Sequence, residues 1–451
     1  MSKHTDRGLT AKIYRSFKMI YFLLLVILTT VNCYQPRLEP FSTVFSWKQL
    51  DFNFPNDTLR QAYLQSGDYI PQNIAPLGMN VWGDKLFLAV PRWKKGVPAT
   101  LNYINITEAK ASNVTSPLLN PYPDWASNDV HTPGSLVHVI RPRIDACNRL
   151  WVVDSGVEAS FVEREVIHPQ QLIAIDLNTN KIIVKYTFKE SDVKPNSLLA
   201  DLVIDVDPNS CEDAYVYNSD NTAPALVVYS LAKNDSWRIE HNYFLAEPLE
   251  GFFNVSGIQF SLPDGILGMS LSLPKADGSK TLFFHSISGI HEFAVSTYLL
   301  KNQVALADRL FYRQFQVVGN RGLNTQATSS ILDVQSGIMY MTQINKNAIA
   351  CWDTHSKLSS RTFYTVAQDD EKLSYTNDII LEPKSRNVYI LSDKVPILIF
   401  SKFNLNETNF YVHAASLDSL KSACKRHSRS RTQVRIHFMD KGSTQSMTWM
   451  V

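Results

Sequence analysis

The sequence predicts an all-β protein whose strands form a β-propeller, with a pair of packed sheets as the alternative. Three observations favour this fold class: helical periodicity is scarce, short strand-like runs recur, and Gly, Pro, Asn, Asp and Ser bound these runs. Many runs are apolar for four consecutive residues, as expected for strands buried on both faces. Examples are NVWGDKLFLAV (80–90), RLWVVDSG (149–156), QLIAIDL (171–177) and KIIVKYTF (181–188).

A weak internal repeat favours the propeller over the packed sheets. The segments LWVVDSG, AYVYNSD, MYMTQIN and VYILSD each place aromatic or β-branched residues before a polar tip. Such repetition is typical of four-stranded sheets that repeat around an axis. The region from Phe41 to Cys424 would divide into six blades of about 63 residues, more than the roughly 40–45 of a short propeller repeat. We therefore expect long loops between the strands.

The composition excludes one class of partner. The chain has 451 residues, of which 45% are hydrophobic and 19% charged, so it can bury a substantial core. Its formal net charge is only +2. Because a dedicated nucleic-acid binder needs a strongly basic face, we expect no nucleic-acid partner.

The N-terminal segment has the features of a secretory signal peptide. Three basic residues come first, at Lys12, Arg15 and Lys18. The apolar stretch MIYFLLLVILTTVNC (19–33) follows, and Met19 is a possible alternative start. Its apolar core of about 12 residues is shorter than the roughly 20 that a spanning helix needs, so a membrane anchor is the less favoured alternative. We predict that residues 1–33 are removed and that the mature protein is secreted, extracellular and not membrane-bound.

The remaining chain divides into three parts. Residues 34–43 form an N-terminal lead-in, and residues 44–424 form the propeller. Residues 425–451 begin with the basic run KRHSRSRTQVR, and terminal charge runs are usually solvated and mobile. We therefore predict a disordered basic tail, with a processing site or a contact for an anionic partner as the alternatives.

The cysteines indicate two disulfide bonds in a secreted chain. Cys33 lies at the end of the signal segment, which leaves an even number in the propeller. An even number in an oxidising compartment favours disulfides, although three pairings are open. Zinc is disfavoured because none of the four lies in a CxxC motif. The four are Cys147, Cys211, Cys351 and Cys424.

Six Asn-x-Ser/Thr sequons predict N-glycosylation of surface loops. Each triplet alone is a weak signal, but six in a chain with a signal peptide make a glycoprotein the natural interpretation. The acceptor residues are Asn56, Asn105, Asn113, Asn234, Asn254 and Asn406.

Several ordered motifs carry a family resemblance. FSWKQLDFNFP (45–55), PRWKKGVPATLNYI (91–104), CNRLWVVDSG, DGILGMSLSL and LFFHSISGIHEFAVST occur in this order. Together they resemble the Yellow / major royal jelly protein family of insects, over roughly residues 44–424. The resemblance implies a six-bladed β-propeller with the pairings Cys147–Cys211 and Cys351–Cys424. Within the second motif, we expect Arg92 and Trp93 to brace a scaffold loop, with direct ligand contact as the alternative.

The resemblance also bounds the function. Members of this family take part in melanin pigmentation and in cuticle or eggshell hardening, and some speed dopachrome conversion. Salivary members bind serotonin and catecholamines in the central channel, whereas royal jelly members are nutritive or signalling proteins. The prediction is a protein of catecholamine and melanin metabolism that binds a small aromatic amine or catechol in the channel. A dopachrome-converting enzyme and a structural or nutritive glycoprotein are the alternatives.

No catalytic motif stands out. The sequence contains no HExxH, GxSxG, P-loop or Rossmann glycine pattern, so the catalytic residues are unknown and we expect neither a cofactor nor a metal. The histidines are scattered. His131, His138, His285 and His291 are interpreted as surface or structural residues.

Acidic residues at strand ends are the first candidate ligand contacts. Asp154, Asp220 and Asp393 each follow an apolar strand. In a propeller such ends converge on one mouth, where carboxylates can bind an ammonium group or, with enough further oxygens, calcium. Asp at a strand end is also ordinary turn chemistry, which is the first interpretation. The same three residues are the candidates for a proton-transfer role.

A second candidate set comes from the resemblance. Amine-binding salivary members carry a Thr, an Asn and a Phe around the ligand amine, and these positions match Thr376, Asp393 and Val395. An Asp in place of Asn would pair directly with an ammonium group. A Val in place of Phe removes an aromatic face and a cation–π contact, which argues against tight serotonin-like binding.

Overall fold

Six four-stranded antiparallel sheets form the blades of a β-propeller in the computed structural model, which confirms the predicted fold class. The structure describes residues 37–159 and 163–430. The predicted signal segment and Met19 lie outside the described residues.

The strand β1 is Ser42–Trp47. Blade 1 follows it and contains β2 (Gly78–Trp82), β3 (Lys85–Ala89), β4 (Leu101–Asn105) and β5 (Asn120–Pro121).

One short hairpin is inserted in blade 2 and another follows blade 3. Blade 2 contains β6 (Arg143–Ile144), β7 (Arg149–Asp154), the hairpin β8 (Val157–Glu158) and β9 (Glu165–Val166), then β10 (Gln171–Asp176) and β11 (Lys181–Thr187). Blade 3 contains β12 (Leu199–Asp207), β13 (Ser210–Asp220), β14 (Ala225–Ser230) and β15 (Asp235–Ile239). The hairpin β16 (Phe252–Val255) and β17 (Ile258–Ser261) follows blade 3.

The last three blades complete the ring. Blade 4 contains β18 (Ile266–Leu271), β19 (Thr281–Ser286), β20 (His291–Ser296) and β21 (Gln316–Asn320). Blade 5 contains β22 (Ser330–Asp333), β23 (Ile338–Gln343), β24 (Ala348–Asp353) and β25 (Phe363–Gln368). Blade 6 contains β26 (Thr376–Glu382), β27 (Asn387–Ser392), β28 (Phe410–Ser416) and, as its outer strand, β1.

Helices occupy loops rather than blades. They are α1 (Asp57–Ser66), α2 (Ile106–Ala111), α3 (Thr297–Lys301), α4 (Gln303–Leu306), α5 (Val395–Phe400) and α6 (Leu417–Ser430). Local signals explain α1: the Asn56 side chain accepts a hydrogen bond from the amide of Leu59 at its start, and Gly67 ends it with a φ of 86°. Among the described residues, no helix is long and apolar enough to cross a membrane.

The ring closes at blade 6, where the two ends of the propeller meet. The innermost strands β2, β6, β12, β18, β22 and β26 contact one another in this order, and β26 contacts β2. The outer strand β1 pairs antiparallel with β28, with Trp47 opposite Phe410. Because β1 begins at Ser42, its first residues fall in the segment predicted as a lead-in.

The core lies between blades, which explains the uniformly apolar runs in the sequence. All residues of β7, β14 and β23 are buried, because each middle strand packs against a neighbouring blade on both faces. The outer strand β11 is more exposed and leaves Ile182 and Ile183 partly open to solvent.

Both disulfides have the pairing that the family resemblance implies. Cys147–Cys211 joins the turn before β7 to β13 in the next blade. Cys351–Cys424 joins β24 to α6, and α6 also packs on β25. The helix continues to Ser430, so residues 425–430 are helical where a disordered tail was predicted; the rest of that tail lies outside the described residues.

The sequons lie mostly on the surface. Asn56, Asn113, Asn234, Asn254 and Asn406 are exposed. Asn105 is half-buried, and its side-chain amide donates to Glu108. Glycosylation stays a prediction, and the exposed acceptor residues are compatible with it.

Candidate functional site

A cavity of about 480 Å³ lies in the central channel, on the face of the ring where the innermost strands begin. Residues at or just before five of these strands line it: Leu77, Arg141, Ala200, Asp264 and Tyr375. This volume lies in the range of small-molecule sites, and such sites are typically apolar with a few convergent polar groups.

Two insertions build the outer wall of the cavity. The segment after hairpin β16–β17 contributes Leu262 and Asp264, and α5 contributes Val395 and Phe400. The insertions meet where the ring of Phe260 stacks on that of Phe400, with 5.2 Å between ring centroids. The mouth of the cavity is therefore largely apolar and partly aromatic.

The loop between β3 and β4 contributes an aromatic wall. The Trp93 ring lines the cavity and lies edge-to-face against His138, with 4.5 Å between centroids. His138 is fully buried, and burial lowers its pKa to about 4, so the imidazole is neutral at physiological pH. His138 was interpreted as a surface or structural residue. It lies in the interior, and its ring also borders the cavity.

Arg92 holds the same loop in place. Its guanidinium is fully buried and donates to five backbone carbonyls, which makes it a scaffold residue as predicted. The carbonyls belong to Val97, Pro98, Asn128, Leu136 and Val137. The scaffold interpretation thus fits Arg92, whereas Trp93 forms part of the cavity wall.

Asp264 is the acidic side chain of the cavity wall. Burial raises its pKa to about 6, and among the described residues no cation pairs with its carboxylate. Asp264 is half-buried. A partly desolvated carboxylate without a cation is costly to ionise, so a ligand that brings a positive charge would relieve this cost.

Tyr375 borders the cavity in a strained conformation. Its backbone φ is 52°, which is rare for a bulky residue, and only 7% of the residue is exposed. Burial raises the pKa of its hydroxyl group, so the phenol stays protonated. Strained residues of this kind cluster at ligand sites, where the surrounding structure holds them in place.

Arg141 lines the cavity and belongs to a network of four charged side chains, called here the charge floor. The other three are Arg143, Asp201 and Asp378. Arg141 donates to the Asp201 carboxylate at 2.8 Å. Arg143 pairs with both Asp201 and Asp378 at 2.9 Å. Burial alone would raise the pKa of Asp378, but the Arg143 and Arg141 charges lower it.

The charge floor joins several blades. Arg141 precedes the inner strand of blade 2, and its partner Asp201 belongs to blade 3. Its other partners are the carbonyls of Thr328, just before blade 5, and Asn377, in blade 6. Arg141 therefore spans the centre of the ring.

The three strand-end aspartates occupy similar positions, at or just after the end of the second strand of blades 2, 3 and 6. Asp154 accepts from the amides of Val137 and His138 at 2.7 and 2.8 Å. Burial alone would raise the pKa of Asp154, but the bonds from His168 and these amides lower it. Its carboxylate therefore ties the loop before an inner strand to the end of the next strand.

Asp220 and Asp393 act in the same way. Asp220 accepts from the amide of Leu198 at 3.1 Å and from Arg238 at 2.8 Å. Asp393 accepts from the Asn377 side chain at 2.8 Å and the Val395 amide at 3.0 Å, and burial raises its pKa well above the usual value. All three are fully buried behind the cavity wall, an arrangement that matches the turn interpretation.

Of the three residues implied by the family resemblance, one lines the cavity and two lie behind its wall. Val395 lines the cavity. Thr376 is fully buried between the wall residues Tyr375 and Asn377, and its carbonyl accepts from Thr328 at 2.8 Å. Asp393 lies behind Asn377, to which it is bonded.

Asp264 and Tyr375 were missed at the sequence level. Asp264 stands in SLPDGILG, where Pro-Asp-Gly indicates a turn. The one available signal is that this turn ends a long insertion and immediately precedes an inner strand. Among the described residues, no group of three or more His, Cys, Asp or Glu side chains is placed to hold a metal ion.

These features define a closed six-bladed β-propeller with a small-molecule-sized cavity in its channel. The family model described as "Major royal jelly protein" matches residues 137–424. Protein yellow of Drosophila yakuba is 37% identical over 400 residues, covering 88% of this chain and 72% of the relative. Protein yellow of Drosophila melanogaster is 38% identical over 379 residues, covering 83% and 69%. The chain belongs to the major royal jelly protein family.

Among solved structures, the luciferin-regenerating enzyme is one match. It is 12% identical, with 79% of this chain and 93% of the enzyme covered at a TM-score of 0.43.

Proposed function

We propose that the protein binds a small aromatic amine or catechol in the central cavity, as a secreted Yellow-like protein of catecholamine and melanin metabolism. The observation that carries the proposal is Asp264, a carboxylate without a cationic partner among the described residues, inside a largely apolar cavity of about 480 Å³. The relatives named Protein yellow favour a role in pigmentation and hardening of cuticle or eggshell. The two disulfides favour an extracellular location.

The chemistry of the wall suits such a ligand. An ammonium group would form a charge-assisted hydrogen bond with Asp264, stronger in this partly desolvated site than in water. The aromatic ring would pack against Trp93, Tyr375 and Phe400, which line the same cavity. The neutral His138 beside Trp93 adds no repulsive charge.

Titration calorimetry tests the proposal with dopamine, serotonin and unsubstituted catechol. We expect Asp264→Asn to weaken binding of both amines at least about tenfold, because a charge-assisted bond is lost, and to change catechol binding little. Asp277→Asn, which changes an exposed loop carboxylate, is the matched control. Absence of heat with all three ligands at high protein concentration would refute the proposal. Unchanged amine affinity in Asp264→Asn would show that Asp264 does not bind the ammonium group.

A second candidate is a dopachrome-converting activity, and the raised pKa of Asp264 favours it. Tautomerisation moves a proton between ring positions, and a carboxyl group with a pKa of about 6 can accept and return a proton near neutral pH. Asp264 replaces the strand-end aspartates as the candidate, because their carboxylates are engaged in loop bonds. The decay of dopachrome should accelerate with the purified protein and not with Asp264→Asn; equal decay with and without protein would exclude this activity.

The third candidate is a structural or nutritive glycoprotein that binds nothing. The open cavity weighs against it, since a packed channel would suit a purely structural role better.

A further inference from the structure

The hairpin β16–β17 stands at the mouth of the cavity and has a simple construction. Its strands are joined by Ser256 and Gly257, whose φ values of 49° and 85° are those of a two-residue type I′ turn. Along β16, Phe253 and Val255 are buried, whereas Phe252 and Asn254 lie on the opposite, exposed face.

The hairpin is attached to the ring by its buried face and by a few side-chain hydrogen bonds. Phe253, Val255 and Phe260 belong to the main hydrophobic core. The Asn345 side chain donates to the Phe252 carbonyl at 2.9 Å and accepts from the Asn254 amide at 3.2 Å. Ser256 bonds to Ser374 at 2.7 Å between hydroxyl oxygens. Because a two-stranded hairpin depends on packing beyond its own strands, a contact on the exposed outer face would add to the stability that the buried face provides.

The outer face of β16 places an aromatic ring beside a sequon. Phe252 is 55% exposed, and its ring stacks on no other aromatic ring among the described residues. Asn254 begins the sequon Asn-Val-Ser, is exposed, and makes no side-chain hydrogen bond within the described part of the chain. Two residues along a strand span about 6–7 Å, so a sugar on Asn254 can reach the neighbouring ring.

We propose that an N-linked glycan on Asn254 packs its first N-acetylglucosamine on the exposed ring of Phe252 and thereby stabilises the hairpin over the cavity mouth. One face of this sugar presents C–H groups, which suit the electron-rich face of an aromatic ring. The contact also covers an apolar ring that is otherwise open to water. This proposal does not depend on the ligand of the cavity.

The other sequons show why Asn254 differs. An aromatic residue also stands two positions before Asn56 and Asn105, but both rings are engaged elsewhere. Phe54 packs against Trp125 at 4.9 Å, and Tyr103 packs against Tyr122 at 6.0 Å between centroids. The remaining three sequons have Ala111, Ala232 and Asn404 at this position.

Hydrogen exchange of the full chain, produced in a eukaryotic secretory host, tests the proposal. Mass spectrometry first measures the occupancy of Asn254. We expect exchange in residues 252–261 to be about threefold to tenfold faster in Asn254→Gln and in Phe252→Ala than in the wild type. The double variant should be no faster than Asn254→Gln, because both changes remove one contact. Asn406→Gln, at an exposed sequon without an aromatic neighbour, should leave the hairpin unchanged.

Two results would overturn the proposal. One is an unoccupied Asn254 in the secreted protein. The other is an equal effect of Phe252→Ala with and without the glycan, which would show that the ring stabilises the hairpin independently of the sugar.

Discussion

The charge floor and the cavity above it lie in the same channel but differ in how their carboxylates are paired. The carboxylates of the floor are buried, and Asp264 in the cavity wall is half-buried. In the floor, Arg141 and Arg143 pair with Asp201 and Asp378, so each carboxylate meets a guanidinium. In the cavity wall, Asp264 has no cationic partner within the described residues, and its pKa rises to about 6. The comparison separates charges that join blades from a charge that is free to meet a ligand.

The largest loss of stability should come from breaking an ion pair of the charge floor. Arg143→Met leaves Asp378 buried without its closest cation, and breaking a buried pair typically lowers the free energy of unfolding by about 3–5 kcal/mol. Denaturant unfolding followed by tryptophan fluorescence measures this loss. Lys95→Gln, which breaks the exposed pair with Glu165, should leave the unfolding midpoint nearly unchanged. Equal midpoints for both variants would refute a structural role for the floor.

A smaller loss should follow from removing a strand-end carboxylate. Asp220→Ala removes the acceptor of the Leu198 amide and one of several acceptors of Arg238, which should lower the free energy of unfolding by about 2–4 kcal/mol. The same denaturant experiment measures it. If amine binding were lost while the free energy of unfolding stayed unchanged, Asp220 would be a ligand contact and not a loop anchor.

The affinity of the cavity for an amine should depend on pH because Asp264 ionises, and not because of the charge floor. Only ionised Asp264 pairs with an ammonium group, so affinity should fall about tenfold from pH 7 to pH 5, through the pKa of about 6. His138 has a pKa of about 4 and stays neutral in this window. Calorimetry at several pH values checks this, and Asp264→Asn should give a flat profile. A wild-type affinity that is constant from pH 7 to pH 5 would contradict the assignment.

The smallest effect should have the opposite sign to the first two. The folded-state pKa of Asp264 is raised, so its contribution to stability is full below the unfolded-state pKa and is lost as pH rises through about 6. Asp264→Asn should therefore raise the free energy of unfolding at pH 7 by about 1 kcal/mol, allowing for solvent screening. The gain should vanish near pH 4. Destabilisation at pH 7 would show that the carboxylate has a stabilising partner.

The sequence predicted the fold better than the site. Apolar runs such as Arg149–Asp154 identify strands because a strand between two blades is buried on both faces. The recurrence of Asp154, Asp220 and Asp393 was recognised, but the same pattern suits a ligand contact and a loop anchor equally well. Only the directions of the carboxylates, towards backbone amides, separate these interpretations.

Asp264 and the disulfides show what short sequence patterns cannot predict. Asp264 faces the channel because its insertion is held by contacts such as Phe260 on Phe400, residues far apart in sequence. Nothing local to SLPDG predicts that contact. The cysteine spacing left three pairings open, and the family resemblance was needed to choose the two that the structure contains.

The closure of blade 6 by β1 has a consequence for biosynthesis. About 360 residues separate β1 from its partner β28, so at about 5–20 residues per second the first strand waits roughly 20–70 s for the last one. During this time the edge of β1 that later pairs with β28 lacks its partner, and unpaired strand edges are prone to pair with other chains. The ring therefore completes only after nearly the whole propeller has left the ribosome, and a truncated chain would leave blade 6 open.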